Sequence, residues 1–448
     1  MSTVRGRWVG RALAPVTALV VTAGLTACGG GEGGSGGGGG ALQVWVRGAE
    51  DSAAAYEEIF AGYTERTGVE VELFMTLTDF ETKLNAAAAA RDLPDVVIND
   101  AAQLGTMLGQ GIITEIDRDA LAGQEDVSDT AWASTTDIAG ATYAVPFSAQ
   151  ANVLLVRTDW LDAVGMEAPT TWDELLAVGR AFTTEDPDGN GQDDTYGMAV
   201  PGSTERGYLA WNWATYLAQA GGSFLEPVPG GDGAYVSGAG SDAAVASADL
   251  LTRMICGDAP MAQPGALNHV TSATNTAFQT GVTGMYLTGP YAYATTDATE
   301  IEGLYTAVAP PAGPAGAGSL AEGTSLYAMA GSDHADAFPG FAEYMISAEA
   351  QETGMIGVGS ATVVRLPVNT TVDVAEVRAG DERWELARRV YEENGVYEPV
   401  AVPNWGAYRA AAAETLNSLA ADCGDTAAAM AELDATFTGM LGDAGIGG

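Results

Sequence analysis

Between residues 42 and 98 short apolar runs alternate with longer runs of helical spacing, and this alternation restricts the fold more than any other feature. Leu42-Gln43-Val44-Trp45-Val46 reads as a strand closed by Arg47-Gly48. Residues 52–67 place Tyr56, Ile59, Phe60 and Tyr63 at helical intervals, with Ser52 as a cap and Gly68 as the stop. Val69-Glu70-Val71-Glu72-Leu73 alternates as a strand, 80–91 is an alanine-rich helix, and Pro94-Asp95-Val96-Val97-Ile98 is a short buried strand. Strands separated by helices require crossover connections, so this part predicts an α/β lobe with a mostly parallel sheet.

The 448 residues exceed what one ordinary core holds. After a looser stretch at 117–143, Ala144-Val145-Pro146-Phe147 and Val153-Leu154-Leu155-Val156 read as chain passing into a second lobe. Residues 172–182, 208–220 and 243–255 have helical spacing, 303–311 is a strand entering a Pro/Gly-rich loop, Leu326-Tyr327-Ala328-Met329-Ala330 follows, and 336–448 reads as helical. No internal repeat is visible.

Asp and Glu number 59 against 18 Lys and Arg, a formal charge of −41. Affinity for nucleic acid comes from cations neutralising phosphates, so that function is excluded, as is binding to an anionic membrane surface by charge. Arg5, Arg7 and Arg11 instead open a leader. An apolar run at 12–27 follows, shorter than the ~20 residues of a membrane span, and ends in Leu25-Thr26-Ala27-Cys28. This looks like a lipobox: residues 1–27 are the signal peptide, and Cys28 carries the lipid and becomes the mature N-terminus. Residues 28–40 are then a glycine-rich tether, with a reach of ~20 Å across its twelve residues after Cys28. The expected location is the outer face of the cytoplasmic membrane, lipid-anchored and extracellular. With Cys28 lipidated, Cys256 and Cys423 remain in an oxidising compartment, where a disulfide is the default and two separate buried thiols are the alternative.

A series of landmarks then runs along the chain: Leu93-Pro94-Asp95-Val96-Val97, Gly111-Ile112-Ile113, Pro169-Thr170-Thr171-Trp172-Asp173-Glu174-Leu175, and Gln219-Ala220-Gly221-Gly222. Ala277-Phe278-Gln279-Thr280-Gly281, Met285-Tyr286-Leu287-Thr288-Gly289-Pro290-Tyr291 and Ser347-Ala348-Glu349-Ala350-Gln351 complete it. In this order they resemble the extracellular solute-binding proteins of ABC importers, in the large group that includes the maltose-binding proteins. The resemblance implies an α/β, two-lobed periplasmic-binding-protein fold (type II-like) with the ligand in a cleft between lobes that close by hinge bending. On that template the first lobe is expected at 41–147 plus 304–350 and the second at 148–303 plus 351–448. The implied function is capture of a mono- or oligosaccharide and delivery to membrane permease subunits, by a monomer with no catalytic residues. The family carries Trp after its Gly-Pro, where this chain has Tyr291.

A sugar needs flat rings for its C–H faces and carboxylates, amides or arginines for its hydroxyls. Trp45, Trp211, Tyr291 and Trp405 are the candidate rings, each weighed against plain core packing. Trp172, in its helix-start motif, is assigned to structure. Glu50, Asp51, Asp100, Gln150 and Glu322 are the polar candidates, because they lie at strand ends, where open α/β sheets bind ligands. Each carries surface or capping duty as its alternative.

Residues 186–194 form the sharpest local motif. Asp186, Asp188, Asn190 and Asp194 stand at positions one, three, five and nine of a loop with Gly191 at six, and Gln192 offers its backbone carbonyl, a spacing suited to Ca²⁺. Position twelve is Gly197, so the bidentate Glu of an EF-hand is missing. The resemblance implies a structural calcium, with an empty acidic turn as the alternative. His269 and His334 are the only histidines and have no ligand pattern around them, and no hydrolase, phosphate-loop or dinucleotide motif occurs. The remaining alternatives are a receptor for a non-sugar solute such as a polyamine and, more distantly, a secreted glycosidase using two carboxylates.

Overall fold

The structure, a computed structural model, describes residues 40–230, 233–257, 259–359 and 361–448. The signal peptide, Cys28 and the tether up to residue 39 lie outside the described residues. Among the described residues thirteen strands are formed: β1 Leu42–Arg47, β2 Val71–Thr76, β3 Val96–Asp100, β4 Val145–Ala151, β5 Val153–Arg157, β6 Tyr196–Ala199, β7 Leu225–Pro227, β8 Tyr235–Ser237, β9 Thr283–Thr288, β10 Tyr305–Val308, β11 Ser319–Ala328, β12 Leu366–Pro367 and β13 Gly395–Tyr397. They build two main sheets and one β7–β8 hairpin.

In the first sheet the order is β12-β4-β11-β3-β1-β2, with β13 also paired to β11. β1 lies parallel to both β2 and β3, as the crossover helices demand. Leu42, Val44 and Val46 of β1 are fully buried on the face covered by helix Ala53–Thr67, whose Tyr56, Ile59, Phe60 and Tyr63 form its inner stripe. Gly68 ends that helix at φ 73, a left-handed position that costs a residue with a Cβ more. On the opposite face Trp45 packs with Phe74, against the layer containing Phe80 and Leu84.

The second sheet has the order β10-β5-β9-β6. Helices Trp172–Thr184, Tyr208–Gln219 and Asp242–Ile255 pack with it. Thr171 starts the first of these: its Oγ1 accepts from the Glu174 N–H, and the Glu174 carboxylate accepts from the Thr170 N–H and hydroxyl. The Trp172 indole donates to Gln219 Oε1 at 2.6 Å, so this tryptophan ties two helices together.

Among the described residues the chain crosses between the lobes three times. β4 leads to β5 through Asn152 alone, whose N–H donates to Leu320 O and whose Nδ2 donates to Thr215 Oγ1; the Ser319 hydroxyl donates back to Asn152 O. The second crossing joins β10 to β11, and the third joins β13 to helix Trp405–Asp422, which packs with helix Thr426–Asp443 on the second lobe. Sheet membership therefore shifts the expected boundaries. β4 keeps the first lobe continuous to 151, not 147. Residues 305–308 pair with β5 in the second sheet, so the first lobe resumes at β11, not at 304. Beyond 350, β12 pairs with β4 and β13 with β11, so residues through 397 add to the first sheet. These strands have two and three residues, too short to show a period-2 pattern within a helical stretch.

Cys256 and Cys423 are disulfide-bonded, with Cα atoms 5.8 Å apart, and join the ends of helices Asp242–Ile255 and Trp405–Asp422. No helix among the described residues is long and apolar enough to cross a membrane.

Candidate functional site

The carboxyl ends of β1 and β3 deliver Arg47 and Asp100, and Glu81 stands in the first turn of helix Phe80–Ala90. Arg47 Nη1 lies 3.1 Å from Asp100 Oδ2, and its Nε lies 3.6 Å from Glu81 Oε1. Arg206 comes from the second lobe, in the turn before helix Tyr208–Gln219. Its Nη1 lies 2.5 Å from Glu81 Oε1 and its Nη2 3.2 Å from Asp100 Oδ2. Both arginines thus share both acids in an alternating ring that spans the lobes. Burial pushes the Asp100 carboxyl up, but the guanidiniums of Arg47, Arg206, Arg409 and Arg365 together outweigh it and hold the group below its ordinary value.

A second cluster surrounds Glu322, near the start of β11. The Trp211 indole donates to Glu322 Oε2 at 2.6 Å, Arg409 Nη2 donates to Oε1 at 3.0 Å, and Gln150, directly opposite in the β4–β11 register, donates to Oε2 at 3.4 Å. Arg409 also pairs with Glu398 at 2.9 Å. Burial pushes the Glu398 carboxyl up, and neighbouring Glu322 adds to this, while Arg409 and the Trp405 indole pull it back. Gln150 also touches the Tyr291 side of the second lobe: a Cβ on Gly289 would stand 2.9 Å from Gln150 Oε1 and 3.1 Å from the Tyr291 ring. That Gln150 Oε1 is buried without a hydrogen-bond partner among the described residues. The Tyr291 hydroxyl accepts from Thr288 Oγ1 at 2.7 Å.

Asp100, Gln150, Trp211, Tyr291 and Glu322 therefore gather between the lobes, on carboxylate, amide and aromatic groups suited to hydroxyls and to flat C–H faces. The other four candidates lie elsewhere. Trp45 belongs to the first-lobe packing described above. Glu50 and Asp51 form an exposed 3₁₀ turn with no ion pair to either cluster among the described residues. Trp405 is fully buried, stacked on Tyr408 and edge-on to Phe224, so it is a core residue that reaches the site only by donating to Glu398 at 3.2 Å. Trp213 and Tyr293 are likewise core residues.

Sequence reading missed the arginines. Four of the chain's 18 cationic side chains, Arg47, Arg206, Arg365 and Arg409, surround Asp100 closely enough to lower its pKa. The available signal was scarcity: in so acidic a chain, Arg47 at a strand end and Arg206 before an aromatic helix are unusual placements.

In the 186–194 loop, Asn190 Nδ2 donates to Asp188 Oδ2 at 2.8 Å and to Asp194 Oδ1 at 3.2 Å, while Asp186 Oδ2 accepts from the Gly191 N–H. Burial and the charges of Asp186 and Asp194 push the Asp188 carboxyl up. The oxygens are those a hard cation takes, and Asp186 Oδ1 is buried without a partner. However, no three His, Cys, Asp or Glu side chains among the described residues are arranged to hold a metal.

Two α/β lobes with polar and aromatic groups converging between them define a solute-binding clamp. The sequence places this chain within it: residues 48–352 match the family model of bacterial extracellular solute-binding proteins, and the chain belongs to that family. Lipoprotein LipO of Bacillus subtilis is 56% identical over 48 residues, 11% of this chain and 10% of LipO. The polygalacturonan/rhamnogalacturonan-binding protein YtcQ of the same species is 36% identical over 128 residues, 27% of this chain and 25% of YtcQ. These matches thus span a quarter or less of each relative. The fold is that of an ABC transporter solute-binding protein from Thermotoga lettingae bound with α-D-tagatose (TM-score 0.77, 17% identity, 90% of this chain and 99% of that one). It is also that of the GacH receptor of Streptomyces glaucescens, known in complex with acarbose (TM-score 0.76, 22% identity, 90% and 98%).

Proposed function

We propose that the chain is the substrate-binding lipoprotein of an ABC importer, which captures a mono- or oligosaccharide outside the cell and hands it to permease subunits without transforming it. The observation that carries this reading is the meeting of Gln150 and Glu322 of the first lobe with Trp211 of the second, with Tyr291 beside them at Gly289 and the Gln150 carbonyl buried without a hydrogen-bond partner among the described residues. A sugar hydroxyl supplies the donor that this carbonyl lacks, and the rings suit its C–H face. The saccharides named for YtcQ, the Thermotoga protein and GacH support the same class. A polyamine is disfavoured, because the carboxylates it would need, Asp100 and Glu322, are already paired with Arg47, Arg206 and Arg409.

Anchoring through Cys28 follows from the lipobox and is supported by the lipoprotein relative. The working unit is a monomer. Calcium in the 186–194 loop would relieve the repulsion felt by Asp188; added Ca²⁺ should raise the melting temperature, and Asp188→Asn should abolish that rise.

A thermal-shift screen against mono- and oligosaccharides, polyamines and amino acids tests the main reading. One site at about 100 times Kd adds ~2.7 kcal/mol, a clear upward shift. A saccharide that shifts the melt and is recovered unchanged supports the receptor. A shift with polyamines alone, or conversion of a saccharide to product, removes it.

A further inference from the structure

We propose that Arg206 is the positioning residue of the clamp, an ionic latch that holds the second lobe against the first and sets how often the site groups meet. Of the four members of the alternating ring, Arg47, Glu81 and Asp100 belong to the first lobe and only Arg206 to the second. Opening the cleft must therefore break both Arg206 contacts, while the Arg47 contacts survive it.

The backbone carries a second, independent sign. Arg206 has φ 52, a left-handed conformation that L-residues other than Asn and Asp rarely adopt. Gly207 beside it has φ 74, and helix Tyr208–Gln219, which carries Trp211, starts at once. Strain of this kind persists where the surroundings over-determine it, and here the surroundings are the two acids of the other lobe. The turn presents Arg206 to the first lobe and, one helical turn later, Trp211 to Glu322.

The side chain of Arg206 is 25% exposed and those of Glu81 and Asp100 are 34% exposed. Solvent and salt reach such a ring, so its strength falls with ionic strength as that of a sealed pair does not. The latch thus confers a closing bias that needs no ligand and can be tuned by salt. It adds to the sugar-receptor reading and does not depend on which solute is bound.

The test is small-angle scattering of the purified ligand-free chain at 20 mM and 1 M NaCl, for the wild type, Arg206→Gln, Arg206→Lys and Arg206→Gln combined with Glu81→Gln. The wild type at low salt should scatter near the ~22 Å radius of gyration of a compact body this size. Arg206→Gln should be larger at low salt, high salt should bring the wild type towards the variant, and Arg206→Lys should restore part of the closure. Adding Glu81→Gln to Arg206→Gln should open the chain no further, because the shared contact is already lost. A thermal melt checks folding: a melting temperature close to the wild type's with a larger radius isolates the latch. An Arg206→Gln radius equal to the wild type's at both salts overturns it. Because no ligand enters the experiment, failure here leaves the receptor reading intact, and failure of the saccharide screen leaves the latch intact.

Discussion

Arg206 and Arg383 both join the two lobes, beside the Arg409–Glu322 link already described, and they are built differently. Arg206 approaches two partly buried acids one nitrogen at a time, from a strained turn. Arg383, on a helix packed against the first sheet, instead grips Asp297 of the second lobe with two nitrogens at 2.9 and 2.6 Å and Asp381 with two more contacts at 2.7 and 2.6 Å. It also lies over the rings of Tyr293 and Tyr305, at 5.0 and 5.3 Å, and donates to the Tyr305 hydroxyl. The bidentate pair on an aromatic base fixes one geometry. The ring shares its acids and can re-pair. The difference is that of a clasp and a latch: Arg383 secures the lobes near β10, and Arg206 governs the side where the ligand groups converge.

The largest effect should come from neither arginine. Reducing Cys256–Cys423 removes a cross-link between two second-lobe helices, whose 167-residue separation includes the first-lobe strands β11, β12 and β13, worth up to ~5 kcal/mol in the chain-entropy model. Denaturant melts with and without reductant measure it, and scattering should show the ligand-free radius unchanged. If reduction opens the lobes, the separation of lobe stability from lobe closure fails.

Next is Arg383→Leu, which strands Asp297 and removes two ring contacts. A loss of about 2–3 kcal/mol is expected, barely altered by 1 M salt. Arg206→Gln should cost less than about 1 kcal/mol in the same melts while opening the chain in scattering. Equal losses for the two variants would erase the distinction between clasp and latch.

The smallest effect concerns pH. Arginine side chains do not lose their proton in this range, so the ring responds to pH through its acids. The Asp100 carboxyl is held below its ordinary value, so its contribution is fully present above about pH 4 and is lost as pH falls through the depressed value. Scattering from pH 8 to 5 should not change; opening should appear only under stronger acid. Opening already at pH 6 would mean that another group controls the latch.

How much of this was legible in sequence follows the same division. The first-lobe elements were readable because Leu42, Val44 and Val46 alternate and Tyr56, Ile59, Phe60 and Tyr63 repeat at helical spacing, patterns imposed locally by burial. β12 and β13 were not, since their pairing with β4 and β11 comes from tertiary contact and not from their own two or three residues. Among site residues, Asp100, Gln150 and Glu322 sit on or close to strand ends, a position that sequence can indicate. Trp405 deceived because an aromatic after Pro403-Asn404 looks like a loop residue, whereas it begins a buried helix. Arg206 was invisible because its acids lie more than 100 residues away in the chain, and Arg409 because its link to the first lobe is Glu322, 87 residues away.

The most direct test of the central claim is calorimetric titration of neutral and acidic saccharides into the wild-type chain and into Gln150→Leu, with chromatography of the recovered solute. The account predicts that at least one saccharide binds the wild type at a single site, is recovered intact, and binds Gln150→Leu at least tenfold more weakly. Saccharide binding indifferent to Gln150, or a chain that binds only non-saccharide solutes, would contradict it.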